Sequence, residues 1–153
     1  MKFIRSMFVI LTVMVILLAC SITYAAPNLD KGFNGLKWGL PFSETTGLKL
    51  LKDNGSDVAY VREHDYKKFG EATFARIAYM FYEDHFEGVI GQTEGANQWI
   101  ALRKTLTDIF GDPVIDDQGV YNWRDPFFKV ILLRKDSDWT GTLFLTCDLD
   151  RFN

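Results

Sequence analysis

At 153 residues, with 48% hydrophobic, 15% aromatic and 24% charged side chains, the chain has the make-up of one folded domain. Disorder, collagen, coiled-coil and multidomain readings are excluded, because apolar material is ample and no Gly/Pro/Ser tract or long charge run interrupts it. Seventeen basic against twenty acidic residues leave a net charge of −3, and such an evenly mixed acidic surface does not attract nucleic acid.

The first thirty residues differ from the rest. Lys2 and Arg5 precede an uncharged stretch that lasts to Asp30, with its apolar centre at Met7 to Cys20. A short positive region, an apolar run of this length and then small residues are the three parts of a secretory signal peptide. Thr23 and Ala25 supply the small side chains that signal peptidase requires, so cleavage is expected between Ala25 and Ala26, leaving 26–153 as one exported domain. Two alternatives stay open. Leu17-Leu18-Ala19-Cys20 resembles a lipobox, in which the Cys20 thiol takes a lipid and tethers the protein; a leader retained through Tyr24 is the other. Contact with a membrane is expected only through one of these. With Lys2 and Arg5 removed, fifteen basic and twenty acidic residues give the mature chain a net charge of −5.

The mature part opens on Phe33-Asn34-Gly35-Leu36-Lys37-Trp38-Gly39-Leu40-Pro41, read as an aromatic strand broken by Gly and Pro, with Ser43 placed to cap a short helical turn that Gly47 ends. Leu48 to Lys52 and Asp57 to Arg62 read as a hairpin about Asn54-Gly55, a pair that accepts positive φ. A second hairpin is expected from about Thr73 to Gln92, its arms Phe74 to Tyr82 and Phe86 to Ile90, its tip Glu83-Asp84-His85. Trp99, Leu102, Leu106 and Ile109 recur at spacings of three and four, which predicts an amphipathic helix from near Asn97 to Phe110, stopped by Gly111 and Pro113. Three strands follow: Val120 to Arg124, Phe127 to Arg134 and Gly141 to Leu149.

Hairpins join neighbours and nothing supplies parallel crossovers, so the expected fold is α+β, an antiparallel sheet with one or two helices packed on one face. The phrases Glu83-Asp84-His85-Phe86-Glu87-Gly88 and Asp136-Ser137-Asp138-Trp139-Thr140-Gly141 share a pattern, which suggests a degenerate tandem of helix-plus-strands units.

The phrases Phe33-x-Gly35-Leu36-x-Trp38-Gly39-x-Pro41, Ile77 to Tyr82 with Phe86 and Val89, Leu106 to Gly111-Asp112-Pro113, and Tyr121-x-Trp123 resemble a group of small uncharacterised exported bacterial proteins. That resemblance implies an envelope location and no particular activity. The layout of helix and antiparallel strands is also similar to β-lactamase inhibitor protein and to the small lipoproteins of outer-membrane protein assembly, a likeness of architecture alone.

Chemistry-bearing motifs are sparse. His64 and His85 are the two histidines, and neither stands in the His-x-x-x-His or Cys-pair spacing that fixes metal ligands on one element. Asp108, Asp112, Asp116 and Asp117 crowd the end of the helix without the ordered Asp-x-Asp-x-Asp-Gly loop of a calcium site. Gly-x-Ser-x-Gly and the phosphate-cradling glycine loops are absent. Once Cys20 is removed or lipidated, Cys147 is left without an intramolecular disulfide partner, and its alternation with Leu143, Leu145 and Leu149 marks it as a small hydrophobe on an apolar strand face. No catalytic, cofactor or metal residue is therefore assigned.

The aromatic load is the remaining lead. Trp38, Trp99, Trp123 and Trp139 with the tyrosines exceed what a domain this small must bury, and amphipathic rings favour binding surfaces. Trp139, at a predicted turn, and Tyr121 are the expected binding residues. The expected function is a non-enzymatic binding or interaction module of the cell envelope, its partner an envelope protein or small ligand. The alternatives are a lipoprotein anchored at Cys20 and a hydrolase or metal-dependent enzyme using His64 and His85.

Overall fold

The computed structural model describes residues 27–151, residue 136 excepted; the expected leader, the Ala25–Ala26 cleavage point and Cys20 lie outside these residues. Strands run in chain order as β1 (Leu48–Asp53), β2 (Asp57–Arg62), β3 (Lys68–Phe69), β4 (Ala72–Thr73), β5 (Arg76–Tyr82) and β6 (His85–Thr93). Helix α1 (Ala96–Phe110) leads to β7 (Val114–Ile115), β8 (Tyr121–Arg124), β9 (Phe128–Lys135) and β10 (Thr140–Cys147). The protein is an antiparallel α+β structure, mostly sheet: eight strands in the order β1-β2-β5-β6-β10-β9-β8-β7, with β3 and β4 forming a separate small hairpin. Each end of the large sheet is thus a four-strand meander, and the two meet where β6 pairs with β10.

Local chemistry accounts for the turns. Glu83 and Asp84 adopt φ of 46° and 65°, the two positive values of a two-residue hairpin turn, and Tyr82 pairs directly with His85. At the β1–β2 turn Gly55 takes φ 87° while the Asp53 carboxylate accepts the Gly55 N–H at 2.8 Å. The helix follows the predicted stripe: Trp99, Leu102 and Leu106 are buried and Ile109 packs partly against the core. Gly111, at φ 80°, returns its N–H to the Thr107 carbonyl, and Trp123 Nε1 donates to the Gly111 carbonyl at 2.8 Å, fixing the helix end to β8.

One face of the sheet holds the core. Ile77, Tyr79, Phe81, Phe86, Val89, Val130, Leu132, Leu143, Leu145 and Cys147 are buried there, under α1, the β3–β4 hairpin and the segment before β1. Trp99 presses on Gly141, where even a methyl group would meet its ring at 2.8 Å. Trp38 stacks on Phe86 with centroids 4.9 Å apart and meets the edge of Phe128 at 5.7 Å. Full burial of such rings contributes about 2–3 kcal/mol each, before entropy is subtracted.

Several expectations are corrected. Residues 33–41 do not form a strand. Asn34 and Gly35, at φ 47° and 82°, fold the chain back so that Phe33 and Leu36 exchange both backbone hydrogen bonds, a second Asn-Gly hairpin turn in miniature. Ser43 does not cap: the helical turn is a three-residue 3-10 turn, Phe42–Glu44, with Pro41 at its N-cap, no side-chain cap bond, and Thr45 rather than Gly47 at its end. The first arm of the second hairpin begins at Arg76, because Ala72–Thr73 pairs with Lys68–Phe69 instead. The last strand stops at Cys147 and turns into Leu149–Arg151. The phrases about Glu83-Asp84 and Trp139 do occupy equivalent places, the last turn of each meander. Gly88 and Gly141, however, point to opposite faces, so the likeness is of topology and not residue by residue.

Candidate functional site

The opposite face of the sheet has the same strands and no layer of described residues over it. Strand alternation puts Ala78, Met80, Ile90, Phe144 and Ile131 there, each the neighbour of a buried core residue, together with Ala59, which is itself buried. The pairing aligns Ala78, Ile90, Phe144, Ile131 and Asn122 into one row running across five strands. Over β1, β2, β5 and β6 this face is hollowed into a groove of about 680 Å³, floored by Ala59, Val61, Ala78, Met80 and Ile90. Small side chains make the hollow: Ala59 and Ala78 lie where a larger aliphatic would fill it. Hairpin sequence alone leaves this face unidentified, because alternation says that two faces differ and not which one the helix covers.

One end of the groove is fixed by a polar network. The Asp65 carboxylate, with 3% of its side chain exposed, accepts the Tyr79 hydroxyl at 2.6 Å and lies 4.0 Å from Arg62. Asn34 Nδ2 donates to Tyr79 Oη at 3.1 Å and to the Tyr66 carbonyl at 2.6 Å. Burial first, and then the bond to Asp65, raises the Tyr79 phenol well above its ordinary range, so it stays protonated and donating. The network ties the segment before β1 to the β2–β3 connection and holds Arg62 against the Tyr79 ring, 5.2 Å from its centroid.

The two aromatic residues expected to bind lie on the other side. Trp139 is 41% exposed at the β9–β10 turn, with φ 55°. Tyr121 is half-buried, edge-on to Trp99 at 5.5 Å and under the Arg103 guanidinium at 6.0 Å. Arg134 joins the two sites, its guanidinium 4.5 Å from the Trp139 ring and 5.9 Å from that of Trp99. Trp139 thus presents an accessible ring at the covered-face rim, whereas Tyr121 carries packing.

A second hollow, of about 640 Å³, gathers Trp38, Glu83, His85, Glu87, Cys147 and Asp148. Burial first, then the charges of Asp148 and Glu87, pushes the Cys147 thiol up to about 12, which keeps it neutral and poorly nucleophilic. Burial, then Asp57, also raises the Glu87 carboxyl. His85 turns its Nδ1 to the Glu83 carbonyl at 2.8 Å, while His64 follows the far end of β2, too distant to share a ligand with it. Asp116 closes a turn by accepting the Gln118 and Val120 N–H groups at 2.9 Å, and Asp108 pairs with Lys104 at 2.9 Å. Among the described residues no group of three or more His, Cys, Asp or Glu is placed to hold a metal ion, and no helix is long and apolar enough to cross a membrane.

Comparison with known proteins returned no matching family model, no matching curated protein and no matching solved structure.

Proposed function

We propose that this is an exported binding protein of the bacterial cell envelope that acts through the open face of its sheet and performs no catalysis. The observation that carries the reading is the apolar groove on a sheet face over which no layer of described residues lies, floored by half-buried Ala78, Met80 and Ile90. Soluble domains rarely leave contiguous apolar surface without a partner for it. The opening phrase from Phe33 to Pro41 and the apolar run Met7 to Cys20 supply the grounds for export, and the paired meanders are read as a degenerate tandem. Trp139 extends the binding surface to the sheet's other side as a separate, smaller contact.

Two experiments test this. The intact mass of protein recovered from soluble and membrane fractions is expected to start at Ala26; a lipidated Cys20 would make it a tethered lipoprotein, and Ser21 would direct it to the outer membrane by the sorting rule for that position. A photo-crosslinking residue placed in the cell at Ala78 or Ile131 is expected to give discrete protein adducts, with none from Lys104 on the outer side of α1. Adducts from Lys104 and none from the sheet would refute the open face as the binding surface.

A further inference from the structure

The chain is acidic overall, whereas the open face is mixed: Asp57, Glu63 and Asp65 line its groove beside Lys52, Arg62, Lys67 and Arg76. Among the described residues the strands of the large sheet carry Asp53, Asp57 and Glu87 as their acids, and the other acids lie in turns, in loops or on the helix. Cations outnumber them on these strands. Lys52, Arg76, Arg124 and Lys129 fall on the open face by register and make no ion pair among the described residues. Lys49 and Lys135 share that face and are paired, with Glu63 and Asp138.

Their placement is ordered. The apolar row from Ala78 to Ile131 crosses the sheet between two others. On one side Met80, Gly88 and Thr146 lead to Lys129 and Arg124, with Lys52 opposite Ala59 at the far end; on the other, Arg76 stands opposite Gln92 and Thr142 opposite Leu133. Adjacent rows are about 7 Å apart, two residues along a strand, and five strands span roughly 19 Å. An extended chain of about six residues has that length. Its sheet-facing side chains would meet the apolar row, and carboxylates leaning from its edges would come within reach of the flanking cations.

We propose that the open face binds an extended acidic segment of a protein partner, apolar residues on the row Ala78, Ile90, Phe144 and Ile131, carboxylates toward Arg76, Lys129, Arg124 and Lys52. This rests on the open face being the binding surface and adds the chemistry of what it binds. Charge complementarity over an apolar strip favours such a segment. A planar anionic bilayer fits less well at the Ala78 and Ile90 end of the row, which floors a groove of about 680 Å³; Phe144 and Ile131 lie beyond that groove.

The test uses the mature exported protein and three synthetic peptides about ten residues long, alternating Leu with Glu, with Gln or with Lys. Methyl resonances of Ala78, Ile90 and Ile131 are followed during titration, at low and high salt. The Glu peptide is expected to move these methyls, to weaken with salt, and to bind roughly tenfold or more tighter than the Gln peptide. The Arg76→Glu/Lys129→Glu variant, altered at exposed positions only, is expected to keep its folded spectrum and lose a similar factor. Equal movement by all three peptides would overturn the acidic preference while leaving the open face as a binding surface. Glu-peptide shifts confined to α1 would overturn both. Silence toward every peptide would overturn the proposal even if crosslinks form at Ala78, as would a response at these methyls only to phosphatidylglycerol vesicles.

Discussion

On one face of the sheet Tyr79, Phe86, Leu143 and Leu145 are sealed within a core that includes Trp99 and Trp38; on the other, Ala78, Ile90 and Phe144, taken from the same strands, are half-buried with no layer of described residues over them. The covered face is aromatic, branched and almost free of charge. The open face is smaller in its side chains, interleaved with Thr and Gln, and flanked by cations. A strand must satisfy both faces through alternate residues, so β5, β6, β9 and β10 each encode a packing surface and an open surface, the one proposed for binding, in one short run.

Substitutions graded by face put this contrast under stress. Trp99→Ala on the covered side leaves a cavity against Gly141 and Tyr121 and is expected to cost about 3–5 kcal/mol in denaturant unfolding. Tyr79→Phe removes the hydroxyl donor from the buried Asp65 carboxylate, for a loss of about 2 kcal/mol; an unchanged midpoint would mean that Asn34 and Arg62 suffice. Trp139→Ala, at the rim, loses the Arg134 contact and is expected to cost about 0.5–1 kcal/mol. Met80→Gln on the open face is expected to change stability by no more than about 0.5 kcal/mol. Glu87→Gln gives the smallest effect and a sign. Burial raises the folded Glu87 carboxyl above its unfolded value, so its stabilising contribution is present below the ordinary carboxylate range and lost as pH rises through the raised value. The Gln variant should therefore melt slightly higher than the parent at neutral pH, with the difference vanishing in acid; a gap that widens in acid would contradict that assignment.

Much of the fold is legible in the residues. Leu102 and Leu106 mark the helix by period, Gly111 stops it, and the alternation about Cys147 fixes the face of β10. What is not legible depends on distance or on brevity. Lys68–Phe69 and Ala72–Thr73 are too short to show any period, and Asn34-Gly35 is hidden inside a phrase whose aromatics suggest a strand. The pairing of β6 with β10 joins segments some fifty residues apart in the chain, which no local signal announces. The candidate site escapes for the same reason. Arg76, Lys129 and Arg124 become one surface only when that pairing is made, and the apolar row is invisible until the helix is known to lie on the other side. Trp139 was legible as an exposed turn residue; the packing role of Tyr121 on Trp99 required the register of β8.

The most direct test of the contrast is to measure stability and peptide binding on one variant, Ala78→Glu, at the centre of the open row. The account predicts an unfolding midpoint within about 1 kcal/mol of the parent together with loss of binding to the Leu/Glu peptide. A collapse of stability would show that this face is a core surface, and retained binding would show that the partner does not lie on it.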